Sequence, residues 1–479
     1  MVGQFLAQFA IVRVPEHRAY RDLLLARLIS ALGTWTTFYA VRIALYHQTG
    51  SAWWVSILLF SELVPGVVLG IAVGPLIDRW PRQRMMILSD LGGALAFGAL
   101  PFVHSPAGIC GVSAIAGFSA AFFRPGCYAA IPNLVAADSV VAGNALMQGA
   151  ENLATLLGPV LAGVGIVLLG KGTVYELNAV SFVFSALLLV RIGNRLQSHV
   201  PVRIGRTHWR EVRAGLSLVR HDRHLSSIFL IWSWATLAYT GINVAEIVLT
   251  TKGYGVGNIG FGVFVAASAA GIVIGNVVAM GFINRLTVYG GYRASFLITA
   301  AGVAICAASP GLVLGCVGAV IFGAGNGIGL VCNVTLIQRT VSDDRRGQMF
   351  AVLGSLVQTF TLIGTLAAGP ITQHIGPRLV WGLSAVLLVV GYVNAVVVTG
   401  LRARHDRRAG VGPDAESLGP ASASTPGESP VSSFDRIATL LEEIELTRKA
   451  EVSRGFDGAR WRRRRARSVP PPGSERNGA

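Results

Sequence analysis

Seven ionisable residues sit in stretches otherwise too apolar to carry them: Arg27, Arg42, Glu62, Asp90, Arg124, Glu151 and Glu246. A charged side chain in mid-bilayer costs roughly 3 kcal/mol even on the mildest scales, so each needs a partner, a wet cavity or a task. Low-dielectric surroundings favour the neutral form of an acid. The chemistry open to such a set is therefore proton movement and the making and breaking of ion pairs. Glu62 lies about ten residues into its apolar stretch, a depth of roughly 15 Å at the helical rise. It is a candidate proton carrier, and Glu151 is a second; permanent pairing is the alternative for both.

Arg27, Asp90, Arg124 and Glu151 each lie about five to eight residues in from one end of an apolar stretch, a depth of roughly 8–12 Å. Two acids and two bases at one depth can form a neutral cluster. Such a cluster either holds one conformation closed and breaks in another, or pairs statically. Arg42 and Glu246 lie towards the other ends of their stretches. They can pair, meet a charged substrate, or snorkel to the surface.

The elements that must hold these residues are long and apolar. The chain has 479 residues, 52% hydrophobic and 13% charged, with a mean hydropathy of +0.58. Soluble domains carry roughly a quarter charged residues. About 20 apolar residues cross a bilayer as a helix. Twelve such stretches occur, near 22–46, 53–73, 85–103, 107–129, 145–169, 174–193, 226–250, 258–283, 292–309, 311–336, 348–373 and 379–401. The expected fold class is an all-α membrane protein with twelve transmembrane helices. The first 20 residues hold Arg13 and Arg18 and are too polar for the core of a cleavable signal peptide. Cys110, Cys127, Cys306, Cys316 and Cys332 fall in or beside the apolar stretches with no metal-like spacing and read as packing residues. No nucleotide loop, metal motif or nucleophile constellation is present, so neither an enzyme nor a cofactor is expected.

The net charge of +16 is a topology signal and does not point to nucleic acid. Arg18, Arg21, Arg79, Arg82, Arg84, Arg195, Arg203, Arg206, Arg210, Arg213, Arg220, Arg285, Arg345 and Arg346 fall on one side of the alternating stretches, with Lys171, Lys252 and Arg378 on the other. By the positive-inside rule both termini are cytoplasmic. Three Lys against 37 Arg suit a GC-rich bacterial genome.

The chain also repeats at an offset of 206 residues: Asp78-Arg79 answers to Asn284-Arg285, and 138–163 answers to 344–369, with Gly158, Ala162 and Gly163 matching Gly364, Ala368 and Gly369. The expected organisation is a cytoplasmic N-terminus (1–21), a first bundle (22–193), a connector (194–225), a second bundle (226–401) and a basic tail (402–479). In the connector, Trp209, Val212, Leu216 and Val219 share one helical face, as in an amphipathic helix on the membrane surface or an ordinary linker. The tail runs through a Pro/Gly/Ser-rich stretch (410–433) and a short helical pattern (434–454). It ends in six Arg between Arg460 and Arg467 before Pro470-Pro471-Pro472. It reads as mostly disordered, with anionic lipid heads as its candidate partner.

Between the second and third stretches stands Gly74-x-x-x-Asp78-Arg79-x-x-Arg82-x-Arg84. Its charges and prolines place it outside hydrocarbon. In types, spacing and flanks it resembles the loop signature between helices 2 and 3 of the major facilitator superfamily. Arg27-Leu28-Ile29-Ser30-Ala31-Leu32-Gly33, Phe122-Phe123-Arg124-Pro125 and Asn144-Ala145-Leu146 resemble the branch containing bacterial siderophore exporters and macrolide-efflux-type proteins. The resemblance covers about residues 20–400.

It implies two pseudo-symmetric six-helix bundles working by alternating access. It also implies that Asp78 caps the start of helix 11, while Arg79 and Arg82 complete a charge relay with Asp90. The fifth stretch, with Ala145, Ala154, Gly158, Pro159, Ala162 and Gly163, resembles the superfamily's antiporter signature with three ladder Gly replaced by Ala. In the family that signature accompanies export and packs against the other half. The helices of Arg42 and Glu246 would face each other across the central cavity. Trp35, Tyr39, Trp232, Trp234, Tyr239, Asn243 and Asn326 are candidates to line it, with anchoring at the membrane interface the alternative for several of the Trp.

The implied protein is a monomeric transporter of the bacterial plasma membrane, driven by the proton gradient. Its partners are the lipid bilayer and a small-molecule substrate, an amphipathic drug-like compound or siderophore to be exported. Uptake of a metabolite, or a non-transporting sensor or scaffold on the same fold, are the alternatives.

Overall fold

The computed structural model describes residues 18–72, 81–136, 139–196, 216–217, 219, 223–282, 288–341 and 343–408. Gly74, Asp78, Arg79, Trp209, Val212, the first 17 residues and the 409–479 tail lie outside the described residues. The described residues all fall within one compact unit.

Twelve helices follow one another among the described residues, and no strand is found there. They are α1 Arg18–Thr49, α2 Ala52–Ala72, α3 Arg82–Ala99, α4 Pro106–Leu134, α5 Val140–Leu169, α6 Lys171–Ile192, α7 Arg223–Val248, α8 Asn258–Phe282, α9 Val288–Ala308, α10 Leu312–Thr340, α11 Asp343–Ile375 and α12 Pro377–Arg408. Eleven are long and apolar enough to cross a membrane, and α2 adds an apolar helix over Ala52–Val68. Several outrun the apolar stretches that announce them. Arg18, Asp343 and Arg408 lie on helices whose apolar cores start or stop several residues away. Hydropathy marks where hydrocarbon ends, whereas the backbone ladder continues into the polar interface for as long as good helix formers supply it.

The repeat is a structural fact at the turns. Gly170 joins α5 to α6 at φ +82°, and Gly376, 206 positions later, joins α11 to α12 at φ +84°. A left-handed residue lets the chain reverse between two helices within one or two positions, and only glycine adopts it at no steric cost.

Arg18, Arg82, Arg191, Arg223 and Arg339 mark one end of the helices, here termed the basic end. The two halves meet at the opposite end. There Ser56 of α2 donates to the Thr365 carbonyl of α11 and accepts from the Gly369 N–H at 3.1 Å, while the Ala52 N–H donates to Gln373 at 3.0 Å. On the pseudo-symmetric side, α5 and α8 touch backbone to backbone. A Cβ on Gly163 would strike the Asn258 carbonyl, and one on Gly262 would lie 2.5 Å from the Pro159 carbonyl. Ser56 and Gly262 are 206 positions apart, as are Pro159 and Thr365. The same joint is thus built twice, once with a hydroxyl and once with bare backbone.

Towards the basic end, polar side chains are exposed in mid-helix: Gln148 and Asn152 on α5, Gln358 and Thr359 on α11. Amides facing hydrocarbon would lose their hydrogen bonds, so these line a wet opening between the halves.

Candidate functional site

Three helices of the first half bring Arg27, Arg124 and Glu151 together. Arg27 donates to Glu151 Oε1 from Nη2 at 2.7 Å and from Nε at 3.2 Å, and Arg124 Nη2 lies 3.3 Å from Oε2. Glu151 is 7% exposed. Arg27 stands nine residues into α1, Arg124 ten before the end of α4 and Glu151 eleven into α5, so all three reach one level about 15 Å deep. Up–down alternation makes such equal depth a meeting place.

Replacing Glu151 by Gln leaves Arg27 buried without a counter-ion and is expected to cost about 3 kcal/mol. Arg124→Ala is expected to cost under about 1 kcal/mol, because that side chain is 61% exposed and water replaces its pair. Thermal unfolding of both variants in detergent checks the contrast.

Asp90 does not join this cluster. It is fully buried on α3, and neither carboxylate oxygen has a hydrogen-bond partner among the described residues. Ser185 of α6 and the charge of Arg27 are its described surroundings. The expected bond from Arg82 is also not there. Arg82 stands two turns from Asp90, and its Nη1 donates to the Ala129 carbonyl at 3.0 Å. Arg84, two residues further on, is exposed. Of the expected relay, Arg82 and Asp90 are described and are not in contact; Asp78 and Arg79 lie outside the described residues.

A second group gathers nearer the opposite end. Arg42 of α1 is 3% exposed, so it does not snorkel, and its Nε and Nη1 have no hydrogen-bond partner among the described residues. Its guanidinium rests on the Phe38 ring at 3.9 Å and the Tyr39 ring at 5.1 Å. The charge of Arg42 acts on both Glu62 of α2 and Glu246 of α7, without an ion pair to either. Glu246 is 6% exposed. Glu62 Oε2 is shielded and unpartnered, although the residue as a whole is partly exposed. One cation, held by an aromatic face, thus acts on one acid from each half. The Arg42–Phe38 stack is an i, i−4 contact on one helix, a spacing that was visible in the sequence.

The α5 motif divides its contacts. Ala154 is fully buried, Gly158 packs against Trp35 of α1 in its own half, and Pro159 and Gly163 meet α8 of the other half. Trp35, partly exposed, stacks on the buried Tyr39 at 6.3 Å, and Tyr39 lies 5.9 Å from Phe261 of α8 in the other half. Trp234 faces Gly391 of α12 inside the second half. Trp232, Tyr239 and Asn326 do share a cavity, and Asn243 is exposed. Sequence reading passed over Ser56, and the signal was there: at offset 206 it stands opposite a glycine.

Twelve apolar helices in two related halves, joined at one end around a polar opening with buried charges, define a membrane transporter rather than an enzyme. The sequence profile of the Major Facilitator Superfamily matches residues 23–291 and 236–449, and the chain belongs to that family. It is 23% identical to macrolide efflux protein A of Streptococcus pyogenes, over 76% of this chain and 91% of that one. It is 27% identical to the multidrug efflux pump Tap of Mycolicibacterium fortuitum, over 79% and 95%. A bacterial homologue of the iron transporter ferroportin, crystallised in an inward-facing state, shares the fold with a TM-score of 0.65 and 16% identity, over 80% of this chain and 98% of that one.

Proposed function

We propose that this protein is a proton-coupled exporter of amphipathic small molecules, drug-like compounds or siderophores, in the bacterial plasma membrane. Its basic end and both termini face the cytoplasm, as the positive-inside rule requires. In this conformation the cavity then opens to the cytoplasm, from which an exporter loads. The efflux relatives support the direction of transport.

The observation that carries the coupling is the contrast between two acids. Glu151 has both oxygens tied to guanidiniums, so protonating it means breaking two ion pairs. Glu62 has a shielded, unpartnered oxygen and an arginine nearby that makes no ion pair with it. Glu62 therefore carries the proton, and Glu151 with Arg27 and Arg124 holds α1, α4 and α5 together. The driving force is the proton gradient, and the working unit is a monomer.

The test is accumulation of a panel of cationic dyes and antibiotics in cells with and without the protein, before and after a protonophore. Lower accumulation that the protonophore abolishes is the expected result. No difference across the panel, with the protein shown to be in the membrane, favours a narrow metabolite transporter or a sensor.

A further inference from the structure

Proton coupling leaves one feature of the second half unused. A notch on the seam of α7 and α10, backed by α9, is lined by Trp232, Tyr239, Phe296, Thr299, Asn326 and Leu330. Its free volume is about 10 Å³, room for a single water-sized group. Glycine makes the space: a Cβ on Gly325 would strike the Thr299 hydroxyl. Leu330 at the rim is 46% exposed, so the notch has an open side. Trp232 Nε1 is buried and has no hydrogen-bond partner among the described residues. A buried indole N–H ordinarily has an acceptor. No residue lining the notch carries a formal charge.

We propose that this notch is a specificity subsite of the transported molecule that takes an uncharged oxygen acceptor, a carbonyl, ester or ether oxygen, on the Trp232 N–H. The Asn326 amide flanks it, and the Tyr239 and Phe296 rings cover the adjoining apolar surface. The inference rests on the transport reading above and adds a substrate class to it. Trp232 and Glu246 lie fourteen residues apart on α7, roughly 20 Å along the helix, so the notch is a site apart from the buried acid.

The test uses the full-length protein in nanodiscs, without any gradient, and two cationic planar dyes read by fluorescence anisotropy. Rhodamine 6G carries an ester carbonyl and a ring oxygen; ethidium carries no oxygen. Trp232→Phe keeps an aromatic ring at the site, smaller than the indole, and removes the N–H. Its Kd for rhodamine 6G is expected to rise about 5- to 10-fold, the worth of one buried hydrogen bond, with ethidium changed less than about twofold. Trp234→Phe, on the same helix but packed against Gly391, is expected to change neither.

Equal weakening of both dyes, or of neither, overturns the subsite, as does failure of the folded wild-type protein to bind rhodamine 6G. The two readings fail separately. The expected binding pattern without lowered dye accumulation in cells sinks export alone. Export with unaltered binding in Trp232→Phe sinks the subsite alone.

Discussion

Replacing Glu62 by Gln is expected to bring dye accumulation up to that of cells lacking the protein, while expression, insertion and thermal stability stay close to wild type. The two parts of that result go together. Glu62 has no ion pair among the described residues, and Gln fills the same volume with an uncharged group, so folding has little stake in the substitution. Transport has a large one, because a carboxamide cannot take up and release a proton in the physiological range. A structural glutamate would show the opposite pattern, a destabilised protein that still exports in proportion to the amount folded. Accumulation assays normalised to membrane-inserted protein separate the two. Glu151→Gln, measured alongside, is expected to lose stability first.

The second large effect is expected at Gly163. Valine there drives a side chain into the Asn258 carbonyl, and α5 cannot retreat without disturbing the reciprocal approach of Gly262 to the Pro159 carbonyl. Overpacking a close contact costs about 1–3 kcal/mol, a shift of roughly 5- to 150-fold against the arrangement closed at that end. The half of the joint at α2 and α11 then loosens too, because both close together. A cysteine at Ser56 is buried in the closed arrangement and becomes reactive to a membrane-impermeant thiol reagent when the end opens. Gly163→Val is expected to speed that labelling at least fivefold and to slow transport. Gly149→Ala on the same helix, with nothing within 4 Å of the added carbon, is expected to do neither.

The outline of this account was legible in the chain itself. Twelve apolar stretches and a 206-residue repeat specify the helices and their two halves, because hydrocarbon admits so few backbone solutions. Equal depth placed Arg27, Arg124 and Glu151 at one level, and helix alternation brought them into contact. Depth could not say which way each side chain turns. Asp90 therefore looked like the fourth member of that cluster and instead is buried with no ion pair among the described residues. The same limit explains Tyr39, which shares a helix with Arg42 but is buried against Phe261 of the other half. What was hardest to see was Ser56, a residue without charge whose role depends on the backbone of a helix more than three hundred positions away. The notch at Trp232 needed the glycines of α10 to be in place before its unpaired N–H had a meaning.

The measurement that bears most directly on proton-coupled export uses the purified protein in liposomes loaded with a pH-sensitive dye. A pH gradient is imposed, and rhodamine 6G is then added. The account predicts that the dye accelerates collapse of the gradient with the wild-type protein and leaves it standing with Glu62→Gln, though that variant still binds rhodamine 6G. Substrate-driven collapse that is the same in both proteins, or none with a wild-type protein that transports the dye, would contradict it.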